Sequence, residues 1–155
     1  MKSKSIGNSA VNLCNVMQHQ HSNLVGNVHG GEIMKMMDNT AGLVAYKHSH
    51  ASRAVTARVS EIEFLQPIHI GNLVTSKGRL IYTGNSSMEI KVEVWVEDIR
   101  NNQPGTKAAT AYFTMVALNN DGKPIKVPEI EIYNDEEQLL YQEGKQRYES
   151  RNRNK

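Results

Sequence analysis

Cysteine is almost absent from this chain: Cys14 is the only one in 155 residues. No disulfide can form within it, and a reducing compartment, the cytoplasm, is the expected location. Cys14 lies in "VNLCNVM" with no basic neighbour to activate its thiol, so it reads as a small buried hydrophobe and not as a nucleophile. No apolar run approaches the roughly 18 residues that a membrane-spanning helix needs. The opening "MKSKSIGNSAVN" lacks the continuous apolar stretch of a secretory signal. No membrane association is expected. Charge of one sign is lacking too. Lys and Arg number 18 against 16 Asp and Glu, a net +2 that gives no pull toward nucleic acid. His19, His21 and His29 cluster, and His48 and His50 follow. No H-E-x-x-H, second cysteine or carboxylate at ligand spacing accompanies them, so no metal site is expected. "GNVHGG" fails the spacing of a dinucleotide-binding fingerprint. No internal repeat, low-complexity tract or linker interrupts the chain.

What is present is an ordinary globular composition, 39% hydrophobic and 22% charged, at a length suited to one domain. Residues 1–8 read as a flexible N-terminus, 9–130 as a single domain, and 131–155 as a C-terminal helix with a solvated basic tail. "SAVNLCNVMQ" reads as a first strand, followed by a polar loop. From Gly31 to about Lys47, Ile33, Met36, Met37, Thr40, Ala41 and Val44 recur at three- and four-residue steps, which predicts a helix with one buried face. Four long β-rich segments come next: "RAVTARVSEIEFLQ", "LVTSKGRLIYT", "MEIKVEVWVED" and "TKAATAYFTMVAL". The third alternates without a fault, Met88 to Val96 against Glu89 to Glu97, so one of its faces is buried and the other wetter. "PIHIGN", "GNSS" and "NNDGKP" read as turns, and short turns predict antiparallel neighbours. "DEEQLLYQEGKQRYES" reads as a polar helix interrupted at Gly144. One long helix beside a long antiparallel sheet predicts an α+β architecture in which the sheet curls around the helix. Its free edges would need cover, and a homodimer is one solution.

Asp38 is out of place in that helix. On a 3.6-residue period it falls on the shoulder of the buried stripe, beside Met34, Gly42 and Ala45. It reads either as an ordinary acid meeting solvent or a basic partner, or as a general base beside a cleft. "HGGE" sets Gly30 and Gly31 at the helix start, where the first N–H groups lack internal partners and can donate to a developing oxyanion.

"SNLVGNVHGGEIMKMMDNTAG" resembles the opening motif of the hotdog-fold acyl-CoA thioesterases, the cytosolic or brain-type acyl-CoA hydrolases in particular. The likeness continues through "TARVSEIEFLQPIHIGN", "GNSSMEIKVEVWVE", "KAATAYFTMVALNNDGKP" and "YQEGKQRYES", roughly residues 9 to 150. The resemblance implies the hotdog fold, a curved antiparallel sheet wrapped around one long central helix, here with a C-terminal helix added. It implies hydrolysis of acyl-CoA to fatty acid and coenzyme A with no further cofactor, coenzyme A being part of substrate and product. The family's Asn ahead of G-x-V-x-G-G matches Asn23, and its helical Asp matches Asp38. These two are implied to meet across a dimer interface, Asn23 from one subunit and Asp38 from its partner. Some relatives are tandem duplications whose halves keep one residue each. This chain keeps both, so a homodimer with two equivalent sites is implied, and a trimer of dimers is a further expectation.

In that chemistry Asp38 activates water, Asn23 orients the water or the thioester, and a backbone N–H of Gly30 or Gly31 holds the oxyanion. Direct attack by Asp38 through an anhydride is the competing route. By analogy the phosphates of coenzyme A meet Arg58, Ser86, Ser87 and Lys107, and the acyl tail lies along Met34 and Met37, residues that equally suit plain core packing. The alternatives are an acyl-CoA-sensing module that binds without turnover, and a hydroxyacyl dehydratase pairing His29 with Asp38.

Overall fold

In a computed structural model, described over residues 1–154, every antiparallel strand of the main sheet lies against one helix. The elements run β1 (Lys4–Ser5), α1 (Ile6–Ser9), β2 (Val11–Val16), a 3-10 turn (His19–His21), α2 (Gly30–Ser49), β3 (Arg53–Phe64), β4 (Leu73–Thr83), β5 (Ser87–Glu97), β6 (Thr106–Leu118), β7 (Ile130–Glu131) and α3 (Asp135–Arg153). The five-stranded sheet has the order β2-β4-β5-β6-β3, and α2 packs on all five strands. The expected central helix and curled antiparallel sheet are therefore observed.

The buried stripe of α2 is Ile33, Met37, Thr40, Ala41, Val44, Ala45 and His48. It meets the inward set of β5, Met88, Ile90, Val92 and Val94, and the small residues Ala109, Ala111 and Ala117 of β6. The closest approach is at Gly78 of β4, where a Cβ would lie 2.8 Å from both Thr40 Cγ2 and Val44 Cγ2. Beside it, Thr40 Oγ1 donates to the Met36 carbonyl at 2.8 Å and shares a hydrogen bond with the buried Ser76 hydroxyl at 2.8 Å. These contacts fix the rotation of α2 about its own axis.

Four sequence-based expectations are corrected. The segment joining β3 to β4 is no hairpin turn: β3 pairs with β6 and β4 with β2. The connection instead crosses the start of α2, where Ile68 is buried and its carbonyl accepts from Val28 N–H at 2.8 Å. The N-terminus is built into the fold, since Lys4 pairs with Ile130, Ile6 is buried, and Lys4 Nζ caps α2 by donating to the His48 carbonyl at 2.9 Å. Cys14 is exposed on edge strand β2, with Sγ 3.1 Å from Thr75 Oγ1, because Val11 and Leu13 take the inward positions of that strand.

The fourth correction concerns α3, which runs unbroken to Arg153 and covers the outer face of the sheet. Its ends suit the helix dipole, with Asp135, Glu136 and Glu137 in the first turn and Arg151 and Arg153 in the last. The supposedly wetter face of β5 is roofed by it. Lys91 pairs with Glu143 at 3.1 Å, and Arg151 pairs with Glu89 at 2.5 Å, an acid only 3% exposed. Arg147 stacks 3.6 Å from the Tyr112 ring centroid and pairs with Glu61 at 3.1 Å. Two residues of the basic end, Arg147 and Arg151, are thus docked, Arg153 is exposed as expected of a solvated tail, and Lys155 lies outside the described residues. Gly144 does not break the helix; it lets the helix touch the sheet. A Cβ there would lie 2.7 Å from Tyr82 Cβ and 2.9 Å from the Ile81 carbonyl carbon.

Replacing Gly144 by alanine should therefore destabilise the protein by about 1–3 kcal/mol through overpacking, although alanine is the better helix former by about 1 kcal/mol. Urea unfolding reads this directly. A raised midpoint would mean that α3 does not approach the sheet so closely.

Candidate active site

Asn23 opens a tight loop. Its Oδ1 accepts from Val25 N–H at 2.9 Å and Asn27 N–H at 3.2 Å, and its own N–H donates to the Asn27 carbonyl at 2.8 Å. Gly26 takes φ +88° to close the turn, a conformation that costs glycine little. The oxygen of the Asn23 amide is thereby committed to the loop, and its NH2 group is the part left to meet a ligand. Leu24 and Val25 stand fully out at the tip.

The helix start is less open than the glycines suggest. His29 is the N-cap of α2, and its Nδ1 accepts from Gly31 N–H at 2.9 Å. Of the two glycines, only Gly30 keeps its N–H clear of the cap. Gly30 lines a cleft of about 460 Å³ with Asn23, Ile33, Phe64 and Leu65. A dyad of His29 with Asp38 gains no support, because the His29 ring is engaged in capping and the acid lies more than two turns further on, roughly 13 Å along the axis.

Asp38 is exposed on α2 and lines a different cleft, of about 600 Å³, with Gly42, Leu43, Tyr46, Val55 and Thr56. Thr56 Oγ1 donates to Asp38 Oδ1 at 2.6 Å and lies 3.2 Å from Met115 Sδ. The acid is thus oriented by a strand hydroxyl while remaining open to the surface. Within one chain Asn23 and Asp38 do not share a cleft: eight residues of helix, roughly 12 Å, separate Gly30 from Asp38. Both clefts border β3, an edge strand of the sheet, whose residues are exposed on both faces over most of its length.

The other sequence-predicted residues scatter. Arg58 and Ser87 share an outer cleft of about 540 Å³ with Thr114, Tyr148 and Arg151. Ser86 is not part of its lining, and its carbonyl accepts from Ala117 N–H at 3.0 Å. Lys107 is elsewhere, paired with Glu93 at 2.5 Å and set over the Trp95 ring, 5.7 Å from its centroid. Met37 has no exposed surface and belongs to the core, whereas Met34 is exposed. Met37 thus lines no tail-binding surface, because the turn of α2 that carries it faces the sheet. Among the described residues no group of three His, Cys, Asp or Glu is placed to hold a metal ion, and no helix is long and apolar enough to cross a membrane.

Thr56 escaped the sequence reading. Threonine is common in strands, and only the register between β3 and the helix reveals its contact with Asp38. Strict alternation of "VTARV" would set Arg58 on the same side as Thr56, but a bulge between them turns Arg58 to the outer cleft.

A sequence profile of the Thioesterase superfamily matches residues 25–102. The cytosolic acyl coenzyme A thioester hydrolase of Rattus norvegicus is 44% identical over 126 residues, covering 81% of this chain and 33% of the rat protein. The chain thus spans about a third of the length of the mammalian relatives it matches. Among solved structures, an apo-hexameric acyl-CoA thioesterase superposes with TM-score 0.93 at 28% identity, over 99% of this chain and 97% of that one. An acyl-CoA hydrolase from Staphylococcus aureus, solved with butyryl coenzyme A, coenzyme A and coenzyme A disulfide, gives TM-score 0.89 at 34% identity over 98% and 92%. That hydrolase has also been solved with a threonine, an aspartate and an asparagine singly replaced by alanine.

The cap at His29 yields a simple test. His29→Ala should cost about 1 kcal/mol of stability, and His29→Asn, a better cap, should restore it. Thermal unfolding of the two variants checks this; equal losses in both would mean that the ring does more than cap.

Proposed function

The chain belongs to the thioesterase superfamily, and from that premise we propose that it hydrolyses acyl-CoA to fatty acid and coenzyme A at a site shared by two copies. The observation that carries the proposal is the Asp38–Thr56 pair, an oriented carboxylate in an open cleft beside an unpaired strand edge. A two-fold axis near Ser60 would pair the β3 strands antiparallel and set Thr56 across from the partner's Phe64. Each α2 would then run antiparallel to its counterpart, carrying the Asn23–Gly30 end of one chain to the Asp38 stretch of the other. The apolar side chains left uncovered along β3 outside the Asp38 cleft, Val59 and Phe64, suit such an interface. The hexameric state of the apo thioesterase supports assembly of such dimers into a trimer.

In the reaction, Asp38 takes a proton from water, and the hydroxide oxygen bonds to the thioester carbonyl carbon. The carbonyl oxygen gains negative charge and is met by the N–H of Gly30, at the positive end of a helix dipole. Asn23 orients the water or the thioester through its NH2 group. The C–S bond breaks, the thiolate leaves with the electron pair and is protonated, and the acid departs. Thr56 holds one carboxylate oxygen and leaves the other to take the proton. No cofactor enters; coenzyme A is part of substrate and product. Arg58 and Ser87, in one cleft, suit its phosphates. The name of the rat relative supports a cytosolic location.

Release of free thiol from a panel of acyl-CoAs tests the activity. A dehydratase would need a 3-hydroxyacyl substrate and liberate no thiol, and a sensor would bind without turnover. Asp38→Ala should lower turnover about a hundredfold to ten-thousandfold while leaving the assembly intact by light scattering. Full activity in that variant removes Asp38 from the mechanism. Mixing Asn23→Ala with Asp38→Ala chains should restore activity once subunits exchange, since each mixed dimer regains one site with both residues. Proven exchange without recovery counts against a shared site.

A further inference from the structure

Gly42 has no reason to be glycine within its own chain. A mid-helix glycine weakens a helix relative to alanine, and glycine elsewhere in this fold is explained by contact, as at Gly78 and Gly144. At Gly42 an added Cβ would meet nothing within 4 Å. It lies one turn beyond Asp38 on the floor of the same cleft, and Tyr46 lies one turn beyond that. Past the polar end at Asp38, Asn39 and Thr56, the walls are apolar: Leu13, Leu43, Val55 and Met115. From Asp38 to Tyr46 is roughly 12 Å along the axis, the reach of a medium-length alkyl chain. The direction is also informative. α2 and β3 are antiparallel neighbours, so the groove runs toward Ala54, away from Arg58 and the outer cleft suited to phosphates. The two ends of an acyl-CoA differ in the same sense, one anionic and one apolar.

We propose that the groove from Asp38 over Gly42 to Tyr46 holds the acyl chain, with Gly42 as the floor that admits it and Tyr46 as the stop that limits its length. This rests on the thioesterase reading of the Asp38 cleft and replaces Met37 as a wall for the tail. It makes Gly42 and Tyr46 specificity-determining residues with no part in proton transfer.

The test is the ratio of kcat/KM for palmitoyl-CoA to that for butyryl-CoA, measured by thiol release on the full chain in its native assembly. Gly42→Met should lower the ratio, by about fourfold for each methylene that loses its burial. Tyr46→Ala should raise it. The change should fall mainly on KM for the long substrate, because the groove meets the chain and not the carbonyl. A ratio that moves in neither variant, or in the same direction in both, overturns the proposal. So does a Gly42→Met protein that light scattering shows to be monomeric, because the glycine then serves packing between helices. Absence of thiol release from every acyl-CoA by the unmodified protein is a different failure; it sinks the hydrolase itself, and it is recognised before any variant is made.

Discussion

Where α2 crosses β4, the helix backbone can come close only because Gly78 has no side chain to hold it off. Thr40 and Val44 fill that space, and the Thr40–Ser76 hydrogen bond pins the rotation. The placement of Asp38 follows from this one fit. With Thr40 turned to the sheet, Asp38 emerges two residues earlier at the margin of the buried face, level with Thr56 of β3. A larger residue at position 78 would push or roll the helix, and the acid would lose its hydroxyl donor without being touched itself. The site is thus positioned by packing that lies on the other side of the helix from it.

The outer face solves a different problem. A sheet of five strands has two faces, and α2 covers only one. α3 covers the second largely with ions: half-buried Arg151 donates to buried Thr114 at 2.8 Å, and Thr114 donates to buried Glu89 at 2.9 Å. Such pairs add little net stability but are costly to break singly, so they fix the seat of α3 more than they hold it down. The aromatic contacts of Tyr82 with Tyr141 and Tyr148, ring centroids 5.2 and 5.1 Å apart, supply the apolar part of the seam.

The long elements were legible because each buries one patterned face: α2 through its three- and four-residue spacing, β5 through strict alternation. Asp38 stood out because a carboxylate at that margin broke the pattern. Asn23 did not stand out by pattern and was found through resemblance to a family. Strand order was illegible, since eight residues between β3 and β4 could make a hairpin as well as the crossing that is observed. α3 was misjudged because its inward side chains are Arg, Glu and Tyr, which read as solvated until opposite charges are placed beneath them. Gly144 illustrates the same limit. Sequence shows a weak helix former, and only the underlying sheet shows why nothing larger fits.

The pairing of β3 with β6 has a consequence for how the protein is made. Arg53 of β3 pairs with Leu118 at the end of β6, so the two partners leave the ribosome far apart in time. At about 5–20 residues per second, the interval between completing α2 and completing β6 is roughly 3–14 seconds. For most of it the nascent chain carries an apolar helix whose roof is unfinished and a long β-strand whose one neighbour in the sheet is not yet in place. That window, and not the finished molecule, is where a trapping chaperone or a wrong partner strand has its opportunity.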